Sequence, residues 1–384
     1  MTEVMDYVFT LLGSMFFWST LVVFAGLSVG LFLRKRPNPP PCDVQLRFAC
    51  VICAHNEENV IDRPIRSLLA SDYPADKFKV VVFADNCTDR TAEIARSFPG
   101  VLVYEKSVPS SGKGDVLAWG IDIIRSGGYD AIAVFDADNE ADRRWLEIVN
   151  RRLASGSDVV TGHRMSSNPF VNLVTGWYTI YWNLMNELSN RVRSNLGLSS
   201  MLTGTGFAFR TEVLPAEGWR TITFVEDLEF AISVNLTGHR VDYEPDAVFY
   251  DEQPVAARPM IRQLNRWATG GLQILYRYFW KWLKALTRRP SLRIFDCFVV
   301  VTLGLSGCAM VVHNIITLNV WFIPWFFALG WASAFLSTSL SRYAVRSLIW
   351  PIVTFPCFAL ILSYTVLFSV FFPQRKWKPI AHGN

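Results

Sequence analysis

The sequence predicts an α/β domain, built on a mostly parallel, doubly wound sheet, inserted between transmembrane helices and flanked by amphipathic helices at the membrane interface. Three observations carry this. Between about residues 45 and 250, short β-branched runs (Phe48 to Cys53, Val80 to Phe83, Val101 to Tyr104, Ala131 to Phe135) are each followed by a polar or Gly turn and usually by a helical pattern. That alternation is the signature of a wound sheet, whose ligands sit at the carboxyl ends of its strands. Tyr7 to Leu33 is a run of 27 residues without a charge, long enough to cross ~30 Å of hydrocarbon. Cys297 to Ser341 adds 45 residues with no Asp, Glu, Lys or Arg.

Taken in order, the first element is a membrane span (residues 1–36 with its basic stop). Thr2, Glu3 and Asp6 precede it where a cleaved signal would carry basic residues, and its apolar core is too long for one. Arg34-Lys35-Arg36 follows, which keeps that side cytoplasmic. The α/β domain occupies 37–253, with helices expected at Thr88 to Ser97 and Lys113 to Arg125. Residues 254–293 read as interfacial helices: Arg277, Lys281, Lys284 and Arg288 recur at helical spacing opposite Ile274, Leu275, Tyr278, Phe279, Trp282, Leu283 and Leu286. Spans fill 294–374, two in Cys297 to Ser341 turning near His313 to Asn319 and a third in Ser347 to Gln374; a basic tail closes the chain at 375–384. Three crossings would leave Arg375, Lys376 and Lys378 outside, against the positive-inside rule, so Pro351 and Pro356 are expected to break the last segment and return the tail.

Composition narrows the class. Hydrophobic residues make up 51% and charged ones 18% of 384 residues, which excludes a disordered chain. A net charge of +4 is too mild to indicate nucleic acid. Seven scattered cysteines do not form a disulfide framework, and Cys50 and Cys53 stand three apart in a strand, facing opposite sides, so their C-x-x-C is not a redox or metal motif. Free thiols fit a reducing compartment.

The chemistry-bearing residues stand at the strand ends. Asp136-Ala137-Asp138 follows Phe135, giving two hard carboxylates at the ligand edge, suited to Mg²⁺ or Mn²⁺ and equally to a charged turn. Asp85 ends the run beginning at Val80 and opens a turn in which Thr88 or Asp89 would cap the next helix. Glu226-Asp227 begins a helical pattern, where acids complement the helix dipole or, in a suitable setting, accept a proton from a hydroxyl nucleophile. Gln263, Arg266 and Trp267 share one helix face, with a guanidinium to neutralise diphosphate and a ring to stack on sugar. Gly112-Lys113-Gly114 is too short for a phosphate loop of an NTPase, since position 107 is Ser, but leaves Lys113 as a phosphate contact.

In order and spacing these pieces resemble the membrane-integrated, inverting glycosyltransferases of family 2, the group of cellulose, chitin, hyaluronan and poly-N-acetylglucosamine synthases. The carriers are Ala54-His55-Asn56-Glu57-Glu58, Asp85, Gly112-Lys113-Gly114, Asp136-Ala137-Asp138, Gly204-Thr205-Gly206-Phe207, Glu226-Asp227 and Gln263-Leu264-Asn265-Arg266-Trp267. Asn86-Cys87 departs from the family's Gly-Ser, and Val225 from its Thr. The resemblance implies a GT-A fold in which Ala54, Glu57 and Asp85 hold the nucleoside of a UDP-sugar, Lys113, Asp136 and Arg266 meet its diphosphate, and Asp138, with Asp136 nearby, binds Mg²⁺ or Mn²⁺. Asp227, beside Glu226, would be the general base, and Gly204, Thr205, Gln263 and Trp267 would border the acceptor. It implies a β-linked polysaccharide as acceptor, in an integral protein of the inner membrane with its catalytic domain in the cytosol, contacting membrane lipids and completed by an oligomer or an export partner. Single-sugar transfer to a polyprenyl phosphate or diacylglycerol is the second enzyme reading; a transporter or scaffold with a degenerate domain is the non-enzyme one.

Overall fold

The computed structural model describes residues 29–33, 39–40, 42–302, 314, 317 and 320–374. The predicted span Tyr7 to Leu33 therefore lies outside the described residues except at 29–33, as do Arg34-Lys35-Arg36, His313 and the tail from Arg375. The chain divides into two compact units: a sheet unit (residues 35–168 and 199–252) and a helical unit (169–198 and 253–375).

The sheet unit contains β1 (Phe48–Ala54), α1 (Asp62–Leu69), β2 (Phe78–Asp85), α2 (Thr91–Arg96), β3 (Leu102–Lys106), α3 (Lys113–Ile124), β4 (Ala131–Asp136), β5 (Glu140–Ala141), α4 (Trp145–Ala154), β6 (Val159–Ser166), β7 (Phe207–Arg210), α7 (Glu226–Leu236) and β8 (Val241–Asp251). The eight strands lie in the order β3-β2-β1-β4-β7-β6-β8-β5. Strands β1 to β4 pair in parallel, with Cys53 level with both Phe83 and Asp136. Apolar residues at successive positions bury both faces, as a parallel sheet covered by helices requires. One core joins Cys50, Ile52 and Phe135 to Ile65 of α1 and Trp145 of α4. The other joins Val51, Phe83 and Val134 to Leu117 of α3 and Phe230 of α7. Cys50 and Cys53 thus point to opposite faces, and burial pushes the Cys53 thiol up to about 12, which leaves it neutral and unreactive.

The sheet is mixed but mostly parallel, as predicted: β6 and β8 pair in parallel and run with β1 to β4, and two strands are reversed. β7 runs antiparallel to β4 and β6, and β5 antiparallel to β8. After β6 the chain enters the helical unit and returns through Ser199 to Gly206, so it re-enters at the edge it left and can only run back. That return brings Gly204 to the carboxyl ends of the other strands. Gly206 stands at φ +62°, and an added Cβ would overlap the Phe249 ring. Gly206→Ala is expected to destabilise the protein by about 1–3 kcal/mol, read as a lower midpoint of chemical unfolding.

The helical unit contains α5 (Leu173–Asn183), a π-helical stretch (Leu184–Asn190), α6 (Arg191–Asn195), α8 (Ala257–Arg288), α9 (Phe322–Leu340) and α10 (Ile349–Phe371). Residues 169–198, which the sequence reading left in the α/β domain, belong here because Tyr178, Ile180 and Trp182 pack with Met260, Leu264, Phe355 and Phe358. Asn172 begins α5 with a capping box: its side chain accepts from the backbone N–H of Val174 and Thr175, and Thr175 accepts from its own N–H. Arg193 forks onto both carboxylate oxygens of Asp296, at 2.8 and 3.1 Å.

Two expectations change here. Pro356 does not break the last segment: α10 runs unbroken through it, and its ring packs against Gly330 of α9, as that of Pro351 packs against Gly176 of α5. The interfacial region is one 32-residue helix, and its apolar side is divided. Ile274, Tyr278 and Trp282 are buried in protein, whereas Tyr276 (88% exposed) and Trp280 (71%) stand out beside the exposed Arg277, Lys281, Lys284 and Arg288.

Candidate functional site

The site is assembled by the carboxyl edge of the sheet. Strands β2 and β4 flank β1 and end in Asp85 and Asp136; Asp136 is level with Phe83 across β1, so Asp85 stands two residues further along its strand at the same edge. Alternation places Phe135 and Ala137 in the first core and turns Asp136 to the other face, where α3 and α7 begin.

Lys113, the first residue of α3, is the hub. Its ammonium donates to Asp136 Oδ1 at 2.5 Å and to the Gly204 carbonyl at 2.7 Å, and lies 3.9 Å from Glu226 Oε1. The side chain is only 13% exposed. Burial works against the charge, but the Asp136 and Glu226 carboxylates outweigh it and lift the lysine pKa above its ordinary value, so Lys113 is a fixed cation. Gly112 precedes it at φ +152°. Gly114 follows it because a Cβ there would run into the Thr221 hydroxyl and press on Glu226 Cβ at 3.1 Å.

Glu226 and Asp227 open α7 as predicted, and they differ in setting. Glu226 is buried against α3, a partner to Lys113. Asp227 is half-buried, and its Oδ2 reaches within 4.0 Å of where a Cβ on Gly204 would stand, so its carboxylate faces the same glycine whose carbonyl holds Lys113. The loop before α7 is pinned by Glu229, whose Oε2 accepts from the N–H groups of Ile222 (2.9 Å) and Thr223 (2.8 Å).

Asp85 is buried, and its Oδ1 accepts from Ser110 Oγ (2.5 Å) and Asn86 Nδ2 (2.8 Å). Asn86 adopts φ +47°, a left-handed conformation that Asn tolerates almost as Gly does, which accounts physically for Asn where the family has Gly. Asn56 does the same after β1, at φ +56°, and its Oδ1 accepts from the Thr88 N–H at 2.7 Å. His55 Nδ1 lies 2.6 Å from the Asp85 carbonyl, so that nitrogen carries the proton. Ala54 is buried at the end of β1, and the Glu57 N–H donates to Thr91 Oγ1 at 2.8 Å. Helix α2 begins at Thr91, later than expected, because Asp89 accepts from the Thr91 N–H and holds the preceding turn open.

Asp138 is 6% exposed and accepts from Asn139 Nδ2 at 3.2 Å. Among the described residues no group of three or more His, Cys, Asp or Glu side chains is placed to hold a metal ion by itself. Asp138 and Asp136 offer hard carboxylate oxygens, the donor type a divalent ion takes when water and phosphate complete its shell, and Asp136 Oδ1 also receives the Lys113 ammonium. Thr205 departs from expectation: it is fully buried, and its hydroxyl accepts from the Asp136 N–H (2.9 Å) and donates to Asn139 Oδ1, so it supports the site from beneath and does not border an acceptor.

In the helical unit, Gln263, Arg266 and Trp267 lie on α8. The Trp267 ring stacks on Tyr181 (5.8 Å, 23°) and is edged by Tyr178 and Trp182, so part of the surface expected for a sugar is covered by protein. Sequence reasoning missed Ser110, Asn139, Asp251 and Arg164, which reach the site through side-chain bonds; Asn139, directly after Asp138, was the nearest visible signal.

A family model described as "Glycosyltransferase like family 2" matches residues 45–270, more than half of the chain. The chain belongs to glycosyltransferase family 2. Among its relatives, beta-monoglucosyldiacylglycerol synthase of Synechocystis is 28% identical over 61% of this chain and 49% of its own length. Poly-beta-1,6-N-acetyl-D-glucosamine synthase of Staphylococcus aureus is 24% identical over 75% of this chain and 67% of its own. The chain spans about half to two thirds of the length of the curated relatives it matches. The solved structure of mannosyltransferase PcManGT from Pyrobaculum calidifontis, in complex with GDP-Man and Mn²⁺, aligns with a TM-score of 0.61 and 19% identity over 93% of this chain and 99% of that one. This family 2 glycosyltransferase therefore has a mixed-sheet, GT-A-like fold.

Proposed function

We propose that this protein is a membrane-integrated, inverting glycosyltransferase that moves a sugar from a UDP-sugar to the hydroxyl of a growing β-linked polysaccharide at the cytosolic membrane face. The observation that carries the reading is the convergence on Lys113: one buried cation joins the Asp136 carboxylate, the Gly204 carbonyl and Glu226, with the Asp227 carboxylate turned to the same glycine.

The residues divide the work. Asp85, held by Ser110 and Asn86, and the Ala54 to Glu57 turn receive the nucleoside. Lys113 neutralises diphosphate, assisted by Arg266. Asp138, with Asp136 nearby, would hold Mg²⁺ or Mn²⁺, which supplies further neutralisation of the leaving group. Asp227 takes the proton of the acceptor hydroxyl as its oxygen bonds to the anomeric carbon from the face opposite the departing UDP; the carbon–oxygen bond to UDP breaks in the same displacement, which inverts the centre. Gly204 borders the acceptor through its backbone, and Gln263 and Trp267 contribute from α8. Glu226 steadies Lys113.

Membrane integration is supported by two helical segments long and apolar enough to cross a bilayer, Phe322–Leu340 and Val345–Phe371, with mean hydropathies of 1.3 and 2.0. Charge distribution agrees: residues 253–384 hold fourteen of the 37 Lys and Arg but one of the 33 acids, Asp296, as suits an anionic leaflet. An oligomer or export partner would complete a path for polymer.

Similarity to a beta-monoglucosyldiacylglycerol synthase favours a second reading, one sugar added to a lipid acceptor. Purified full-length protein in detergent, given labelled UDP-sugars and Mn²⁺, tests both. The expected result is UDP release with a polymer that grows in time; a lipid-extractable single-sugar product replaces polymer by the second reading, and no UDP release with any donor rejects both.

A further inference from the structure

We infer that Asn139, Asp251 and Arg164 are positioning residues that aim the Asp138 carboxylate at the divalent ion, an inference that rests on the proposed metal role of Asp138. None of the three touches substrate in the scheme above; their claim is geometric.

Asn139 is fully buried, and its amide is spent to capacity. Its Oδ1 accepts from Thr205 Oγ1 and from the Asp136 N–H at 3.1 Å. Its Nδ2 donates to Asp138 Oδ1 at 3.2 Å and to Asp251 Oδ1 at 2.8 Å. With two lone pairs and two N–H groups all engaged, the amide has one orientation available. Asp251, also buried, is held from its other oxygen: Arg164 donates to Oδ2 through Nε at 3.0 Å and through Nη2, and anchors its own Nη1 on the Thr203 carbonyl at 2.5 Å. The bonds thus run from β6 through the end of β8 to the turn after β4, with the loop before β7 tied in at Thr203 and Thr205. A buried, fully satisfied network of this kind admits one geometry, and its terminus is a proposed metal ligand. The Asn139 N–H on Asp138 Oδ1 restrains the orientation in which the carboxylate is presented. Outer partners of this type typically carry about 10–100-fold in metal affinity.

The test uses the full-length protein in detergent with UDP present, Mn²⁺ binding read by electron paramagnetic resonance, and a thermal melt of each variant. Asn139→Asp replaces the Nδ2 donor by an oxygen facing two carboxylates, and Asp251→Asn weakens the grip of Arg164. Each is expected to weaken Mn²⁺ binding by about 10-fold or more, at a melting temperature that leaves the protein folded during the measurement. Arg164→Lys, which keeps the charge next to Asp251, is expected to bind Mn²⁺ better than Arg164→Ala. If Asn139→Asp does not fold, Asp251→Asn and the Arg164 pair decide the matter. Folded variants that bind Mn²⁺ within twofold of wild type, while Asp138→Ala has lost it, overturn the positioning role alone. Wild-type Mn²⁺ binding by Asp138→Ala removes the metal assignment, and this inference with it.

Discussion

Asp227→Asn is expected to slow sugar transfer by about 10²–10⁴-fold, the contribution of a positioned general base, while donor affinity stays within a few-fold of wild type. The substitution keeps the size and the hydrogen-bonding reach of the side chain and removes its ability to take a proton. The structure distinguishes it from its neighbour. Glu226 is buried, with its Cβ against the backbone of Gly114 and its carboxylate near Lys113. Asp227 is partly open and faces Gly204. Steady-state UDP release and equilibrium binding of UDP-sugar measure the two quantities separately. Turnover at the wild-type level would remove Asp227 from the mechanism.

Lys113→Met is the second large effect: a fall in kcat of about 10²–10³-fold, the usual consequence of losing one preorganised charge donor to a developing anion. Two losses combine. The cation that meets diphosphate disappears, and Asp136 and Glu226 lose the charge that compensates their own partial burial. Some loss of stability is therefore expected too, and a thermal melt run beside the kinetics separates it from the chemical effect. A folded Lys113→Met enzyme with wild-type kcat would refute the charge-neutralising role. Lys113→Arg is not a conservative control, because the Gly204 carbonyl and Asp136 Oδ1 approach a compact ammonium to 2.7 and 2.5 Å, closer than a planar guanidinium can satisfy together.

The sequence made the wound sheet legible because its strands carry continuous apolar runs ending in acids, and that signal depends only on residues near one another in the chain. It also made the start of α7 at Glu226 legible, through acids in a first turn. The direction of β7 was not legible: four residues, Phe207–Arg210, read the same forward or backward, and only the return of the chain at the edge it left decides their sense. The membership of residues 169–198 was hidden for a similar reason, since Tyr178 and Trp182 would suit either core and their partners lie 80 to 180 residues further on. At the site, the carboxylates were visible, but what they are bound to was not. Ser110 meets Asp85 across 25 residues and Asn139 meets Asp251 across 112, and no local pattern marks either pair. Thr205, which the resemblance put beside the acceptor, has its side chain enclosed, a burial that its two flanking glycines do not reveal.

Among the described residues, the backbone passes between the sheet and helical units at residues 168–169, 198–199 and 252–253. Ser166 ends β6 just before the first, Gly204 follows the second by five residues, and Asp251 stands one residue before the third. The backbone that carries Gly204 and Asp251 is thus the backbone next to these crossings, so an insertion or deletion at residues 199–203 or at 252 changes the chain from which the Gly204 carbonyl and the Asp251 carboxylate reach Lys113 and Asn139.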